Sequence, residues 1–258
     1  MREVALVTGA GMRLGRAIAL ALGAAGYAVA VHRNRSADAA GETAAALRAA
    51  GGEAATVAAD LADPAAPGRL LAEAEAALGP VTLLVNSAAL FEPDDAGALD
   101  LARWERQFAV NLRAPVWLAA ALAARLPAGA EGAVVNLLDQ RVLRAGPGPT
   151  HLSYALSKAA LRDATLALAQ SLAPRVRVNA VAPGPVLPNE ADGEAGFRAE
   201  AEATPLGRAV APAEVAEAVL FLARARAVTG AVIPLDSGQH LAWDTGDARA
   251  VEAARTGA

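Results

Sequence analysis

Strand-length apolar runs recur along this chain with helix-length stretches between them, and no other feature constrains its fold as much. The runs are Val4–Thr8, Ala28–Val31, Ala54–Ala58, Val81–Val85, Ala133–Leu138, Arg175–Val181 and Ala231–Leu235. Most are apolar without alternation, which is the pattern of strands covered by helices on both faces. The segments between them predict helices over about 13–25, 38–50, 64–78, 101–126, 151–172 and 212–224, each long enough for a crossover. The expectation is an α/β fold: a doubly wound sheet of about seven parallel strands with helices on both faces. No Pro/Gly/Ser linker or fixed-period repeat divides the alternation. Residues 1–240 therefore read as one domain, and 241–258 as a polar, Ala-rich tail. The stretch Pro183–Pro205 lacks steady periodicity; it reads as a substrate-covering loop with room for a short helix, or as a plain surface excursion.

Composition removes several classes of function. The net charge of −4 comes from interleaved acids and bases with no basic block, so nucleic acid is not an expected partner. The 258 residues contain no cysteine and only three scattered histidines, which argues against disulfides, thiol chemistry and a metal site. The longest apolar run, Ala114–Ala124, would extend about 16 Å as a helix, half a hydrocarbon core. No membrane association is expected. Glu3, Arg13 and Arg16 break up the N-terminal apolar stretch and argue against a signal peptide, so the expected location is cytoplasmic.

Immediately after the first strand stands Thr8-Gly9-Ala10-Gly11-Met12-Arg13-Leu14-Gly15, followed by an apolar helix. Glycines at a strand-to-helix turn let backbone approach a pyrophosphate, whose charge suits the helix N-terminus. The turn predicts the entry of a Rossmann-like dinucleotide site, with a purely structural turn as the alternative. The end of the second strand should face the adenosine ribose, and it reads His32-Arg33-Asn34-Arg35-Ser36, with no carboxylate for a free 2′-hydroxyl. Cationic and hydroxyl groups there suit a 2′-phosphate, with Arg13 adding to the field; the expected cofactor is NADPH/NADP. Solvated loop arginines are the plainer alternative. Asp60 and Leu61, past the third strand, should lie near the adenine, and Asn86 ends the fourth strand beside the same groove.

Tyr154 and Lys158, in Ser153-Tyr-Ala-Leu-Ser-Lys158, are spaced i, i+4 and share one helix face. An ammonium beside a tyrosine stabilises its phenolate and moves its pKa toward the working range. Lys158 is the only lysine beside 22 arginines, and arginine could not supply the same compact donor.

The set Thr8-Gly-x-x-x-x-x-Gly15, Asn86-x-Ala88, Asn111, Tyr154-x-x-x-Lys158 and Pro183-Gly184 resembles the short-chain dehydrogenase/reductase family, over residues 4 to about 240. The resemblance implies that Tyr154 protonates substrate, that Lys158 holds the nicotinamide ribose and that Asn111 supports a water-linked proton relay. It also implies cofactor contacts at Gly9, Leu14, Gly15, Ser87, Ala88, Pro183 and Gly184, and a homotetramer, for which Ala114–Ala124, apolar on every side, would offer a surface. Arg13 replaces a usual loop glycine, and Asp139 replaces a usual catalytic serine. Together with His32-x-x-x-Ser36 they resemble the pteridine reductase branch, in which Phe91 would stack on the pterin and Arg13 and Asp139 would touch it. Ser87, Ala89 and Leu90 depart from that branch. A carboxyl group beside the tyrosine suits a heterocyclic amine–amide edge better than a simple carbonyl. The expected function is therefore NADPH-dependent reduction of a pterin-like small molecule. The alternatives are a carbonyl reductase acting on a ketone or 3-oxoacyl thioester, and a non-catalytic NADPH-binding sensor, which would have no use for Tyr154 and Lys158.

Overall fold

The computed structural model describes residues 3–143, 151–188 and 193–241. Strands β1 (Val4–Val7), β2 (Ala28–Arg33), β3 (Ala54–Ala58), β4 (Val81–Asn86), β5 (Gly132–Leu137), β6 (Val176–Pro183) and β7 (Val232–Leu235) match the seven expected runs within two residues. All pairings are parallel, in the order β3-β2-β1-β4-β5-β6-β7. The continuous apolar runs follow from this burial: every residue of β1 and β5 is buried. Helices α1 (Arg13–Ala24), α2 (Ala37–Ala49) and α8 (Pro212–Arg224) cover one face, where Ile18, Leu22, Leu47, Val215 and Leu222 pack. Helices α3 (Ala66–Leu78) and α5 (Ala114–Arg125) cover the other, with Leu70, Leu71, Leu118 and Leu122. The chain runs outward from β1 through β2 to β3 and then returns to β4, so the strand order reverses between β1 and β4. In such sheets the crevice beyond the carboxyl ends of those two strands receives ligands.

The expected helix over 101–126 is divided into α4 (Leu101–Phe108), a π-helical turn (Ala109–Arg113) and α5. Pro115 explains the division. It has no N–H to donate to the carbonyl four residues back, that of Asn111, and its ring crowds that carbonyl. The ladder widens instead, with the Ala114 N–H donating to the Ala109 carbonyl. After α6 (Leu152–Ser171) and β6, the aperiodic stretch contains a short helix, α7 (Gly193–Glu202). Residues 189–192 of that stretch and 242–258 of the predicted tail lie outside the described residues.

Candidate active site

The phosphate loop is tightly built. Gly9 has φ +66°, and a Cβ there would lie 3.0 Å from the Ala88 Cα; a Cβ on Gly15 would lie 2.2 Å from the Gly9 carbonyl oxygen. Only glycine fits either position. Thr8 ties this loop to the one after β4, its Oγ1 accepting from the Ser87 and Ala88 N–H groups at 2.9 and 3.0 Å. Arg13 occupies the left-handed region at φ +51°, a strain of about 1–3 kcal/mol for a residue with a side chain. Its guanidinium reaches the Leu187 carbonyl at 3.4 Å.

Three adjoining cavities open at this edge of the sheet, and Arg13 lines all of them. The first, about 390 Å³, runs from the loop (Gly9, Gly11, Leu14, Gly15) to the end of β2 (Arg33, Arg35, Ser36) and to Ser87 and Ala88. The second, about 260 Å³, is walled by Leu14, Ser87, Leu138, Asp139, Tyr154, Lys158, Pro183 and Gly184. The third, about 210 Å³, is walled by Phe91, Asp139, Gln140, Arg141, Tyr154, Phe197 and Glu200.

The first cavity fits a dinucleotide 2′-phosphate end on its own chemistry. The N-terminus of α1 has no side-chain cap and no acid in its first turn, which leaves its N–H groups for an anion. Arg35 and Ser36 are exposed, and Ser36 stands before α2 without spending its hydroxyl on a cap.

His32 departs from the expected set of cations. Its ring is buried, with Nδ1 accepting from the Gly9 N–H at 3.0 Å and Nε2 donating to the Ala59 carbonyl at 3.1 Å. Burial lowers its pKa from 6.5 to about 4, opposed by the Ala59 carbonyl and aided by Arg33. His32 is thus a neutral strut beneath the loop, and the positive charge comes from the arginines. Its neutral form stabilises the native state above pH 6.5, and this contribution is lost as the pH falls toward 4. The gap corresponds to about 3 kcal/mol. Denaturant midpoints should fall across that window in the wild type and change much less in His32→Gln; identical profiles would contradict the assignment.

His32 still lines the first cavity, whereas three predicted cofactor residues are not on the wall of any of the three cavities. Asp60 uses Oδ1 to accept from the Ala62 N–H, Leu61 is buried in the core, and Asn86 donates from Nδ2 to Asn136 Oδ1 at 2.8 Å. Asn111 is buried and spends its side chain on structure. Its Oδ1 accepts from the Leu90 N–H at 2.8 Å, and its Nδ2 donates to the Leu90 carbonyl and to Ser157 Oγ. This pair of hydrogen bonds to Leu90 holds the loop that carries Phe91.

The ends of β5 and α6 and the loop after β4 converge on the second and third cavities. The Tyr154 hydroxyl donates to Asp139 Oδ2 at 2.9 Å. Arg141 donates to the same oxygen at 3.3 Å, and its N–H donates to Oδ1 at 2.8 Å. Lys158 Nζ donates to the Leu137 carbonyl at 2.6 Å and lies 5.9 Å from the Tyr154 ring centre. Burial brings the Lys158 pKa down to about 8, partly offset by Asp139. The expected lowering of the tyrosine pKa is reversed: burial, then the Asp139 charge and hydrogen bond, push it well above 10. The chain's own groups make Tyr154 a proton holder, because a phenolate beside a carboxylate in a dry site is disfavoured. Phe91 packs edge-on against Tyr154 at 4.7 Å and stacks on His151 at 4.0 Å, with the Arg141 guanidinium 5.4 Å from its centre.

Sequence reasoning passed over Gln140, Arg141, His151, Phe197 and Glu200. Gln140 and Arg141 had a signal in their position next to Asp139; α7, which carries Phe197 and Glu200, had none beyond an aperiodic stretch. A larger cavity, about 480 Å³, lies elsewhere, at the amino ends of the strands, between Tyr27, Thr82, Glu131 and Arg177. Its arginines are spent on structure. Arg177 donates to carbonyls at the end of α8, including those of Leu222 at 2.8 Å and Ala223 at 2.6 Å, and Arg226 pairs with Glu131.

A family model described as Enoyl-(Acyl carrier protein) reductase matches residues 9–240. Galactitol 2-dehydrogenase (L-tagatose-forming) of Cereibacter sphaeroides is 39% identical over 246 residues, covering 93% of this chain and 95% of the relative. FolM Alternative dihydrofolate reductase 1 from Brucella canis, complexed with NADP, superposes with a TM-score of 0.91 at 45% identity, over 95% of this chain and 96% of its own. A blue fluorescent protein from a metagenomic library, in complex with NADPH, superposes with a TM-score of 0.83 at 35% identity, over 92% and 97%. With the parallel sheet, the glycine loop and the buried tyrosine–lysine pair, these matches lead to one conclusion: the chain belongs to the short-chain dehydrogenase/reductase family of oxidoreductases.

Proposed function

We propose that this protein is an NADPH-dependent reductase of a pterin-like substrate, of the dihydropteridine or dihydrofolate type. The observation that carries the reading is the Asp139 carboxylate, held by Tyr154 and Arg141 on the wall of a cavity shared with Phe91. A carboxylate pairs with the adjacent N–H donors of a heterocyclic edge, which a ketone lacks. NADPH, when bound, supplies the hydride. Tyr154 donates the proton, Lys158 Nζ holds the ribose from its seat on the Leu137 carbonyl, and Arg13 meets both the pyrophosphate and the substrate. A flat substrate would stack on the face of Phe91 that His151 leaves open, and Asn111 keeps the loop in place. The similarity to the Brucella dihydrofolate reductase supports this substrate class.

The similarity to galactitol 2-dehydrogenase favours a second reading, in which the substrate is a carbonyl or alcohol and Asp139 only orients it. NADPH oxidation assayed across dihydropterins, dihydrofolate and simple ketones separates the two. The heterocycles should turn over with the higher kcat/KM; reduction of ketones alone would put the carbonyl reading in its place. The same proposal makes the enzyme cytoplasmic and homotetrameric. Trp117 on α5, 56% exposed beside buried Leu118, is an apolar surface suited to a second copy. Among the described residues no helix is long and apolar enough to cross a membrane.

Cofactor choice is testable without a substrate. With arginines and a free serine hydroxyl at the end of β2, NADPH should bind at least about tenfold more tightly than NADH, a gap of about 1.4 kcal/mol. Arg35→Ala should remove most of that gap in a fluorescence titration. Equal wild-type affinities would refute the assignment.

A further inference from the structure

We propose that Glu200 is a specificity-determining residue: its carboxylate accepts a hydrogen bond from a hydroxyl or amine on the part of the substrate remote from Asp139, and it turns away substrates that carry an anionic group there. Glu200 stands on α7, on the wall of the cavity that also holds Asp139, Arg141 and Tyr154. Phe197, three residues earlier on the same helix face, lines that cavity too. Glu200 is half-buried, and its Oε1 accepts from Gln239 Nε2 at 2.9 Å. Gln239 Oε1 in turn lies 3.0 Å from where a Cβ on Gly184 would stand, and Gly184 is part of the same cavity wall. A neutral amide thus holds the carboxylate against the cavity lining.

The other charges around the cavity leave that of Glu200 unmatched. Arg141 pairs with Asp139 at 3.3 Å, and Arg13 reaches the Leu187 carbonyl and lines the first cavity as well, where a bound dinucleotide meets it. Among the described residues Glu200 forms no ion pair; its partner is the uncharged Gln239. In a half-buried site such a carboxylate repels another anion more strongly than it would in open water, because the effective dielectric constant is lower and salt screens less. A hydroxyl or amine donor meets no such penalty. With the ring edge of a flat substrate on Asp139, at the turn after β5, its opposite substituent faces the wall that α7 supplies. Selectivity then comes from repelling the wrong ligand as much as from a contact with the right one.

The inference rests on the pterin reading and deepens it. Its test uses 6-hydroxymethyl-7,8-dihydropterin as substrate with saturating NADPH, and measures the competitive Ki of 6-hydroxymethylpterin and of 6-carboxypterin, which differ in charge at that one substituent. In wild type the anionic compound should inhibit at least about tenfold more weakly than the neutral one. Glu200→Gln keeps the shape and an oxygen for Gln239 and removes the charge. It should bring the two Ki values to within about twofold of each other, by tightening the anionic compound. Equal Ki values in wild type, competition by neither compound, or a ratio unmoved in Glu200→Gln overturns the role of Glu200 and leaves the pterin reading standing. A variant in which both Ki values rise alike and Tm falls does the same. Should the variant fail to fold, the wild-type ratio must still shrink as NaCl is raised, and indifference to salt overturns the role equally. A wild type that does not reduce the dihydropterin overturns the pterin reading and this inference with it.

Discussion

Replacing Tyr154 by Phe is expected to lower kcat/KM by about two to four orders of magnitude while leaving the affinity for NADPH within about twofold of wild type. The ring and its edge contact with Phe91 survive the change, and only the transferable proton and the bond to Asp139 are lost. Lys158→Ala should damage both turnover and cofactor affinity, because its ammonium sits between the Leu137 carbonyl and the cavity shared with Leu14 and Ser87. The pH dependence follows from the raised tyrosine pKa. Reduction needs the protonated hydroxyl, and a pKa pushed upward keeps that form present through the neutral range, so any loss due to Tyr154 should appear only on the alkaline side. Retention of more than about a tenth of the wild-type rate in Tyr154→Phe would mean that another group delivers the proton.

Asp139→Ser should cost a pterin-like substrate about 2–3 kcal/mol in kcat/KM, because donors on the buried ring edge lose a charged acceptor. Simple ketones should hold their rate or gain, since a hydroxyl serves a carbonyl oxygen well. The shape-conserving Asp139→Asn isolates the charge. After burial, the Asp139 charge is the next cause of the raised tyrosine pKa, so neutralising it should move the alkaline loss of activity to lower pH. An unchanged alkaline limb would show that the 2.9 Å contact with Tyr154 does not persist in the working enzyme. Equal losses for pterins and ketones in Asp139→Ser would make Asp139 an orienting group for either substrate, as in the carbonyl reading.

The amino-acid sequence by itself determined the parallel sheet, the glycine loop and the Tyr154–Lys158 pair. Each is written in short-range terms: continuous apolar runs mark strands buried on both faces, a loop between β1 and α1 needs glycine where a Cβ would strike backbone, and i, i+4 residues share a helix face whatever surrounds them. Pro115 likewise contained the π-helical turn, since a missing N–H has a local consequence. Only the tertiary structure decided the electrostatics and the membership of the site. His32 looked like a cation beside the phosphate, yet its neutrality depends on Gly9 and Ala59, 23 and 27 residues away, and on the burial that removes its water. Asn111 lies in the chain 21 residues from Leu90, and only the fold shows its side chain tied to both backbone groups of that residue. The tyrosine pKa moved opposite to the helix-face argument, because burial and a carboxylate 15 residues away act on Tyr154 more strongly than its helical neighbour. Gln140, Arg141 and Glu200 line one cavity although they come from the turn after β5 and from α7. A charge or an unpaired acceptor takes its meaning from the water it has lost and the partners that remain, and those are set by contacts between segments distant in sequence.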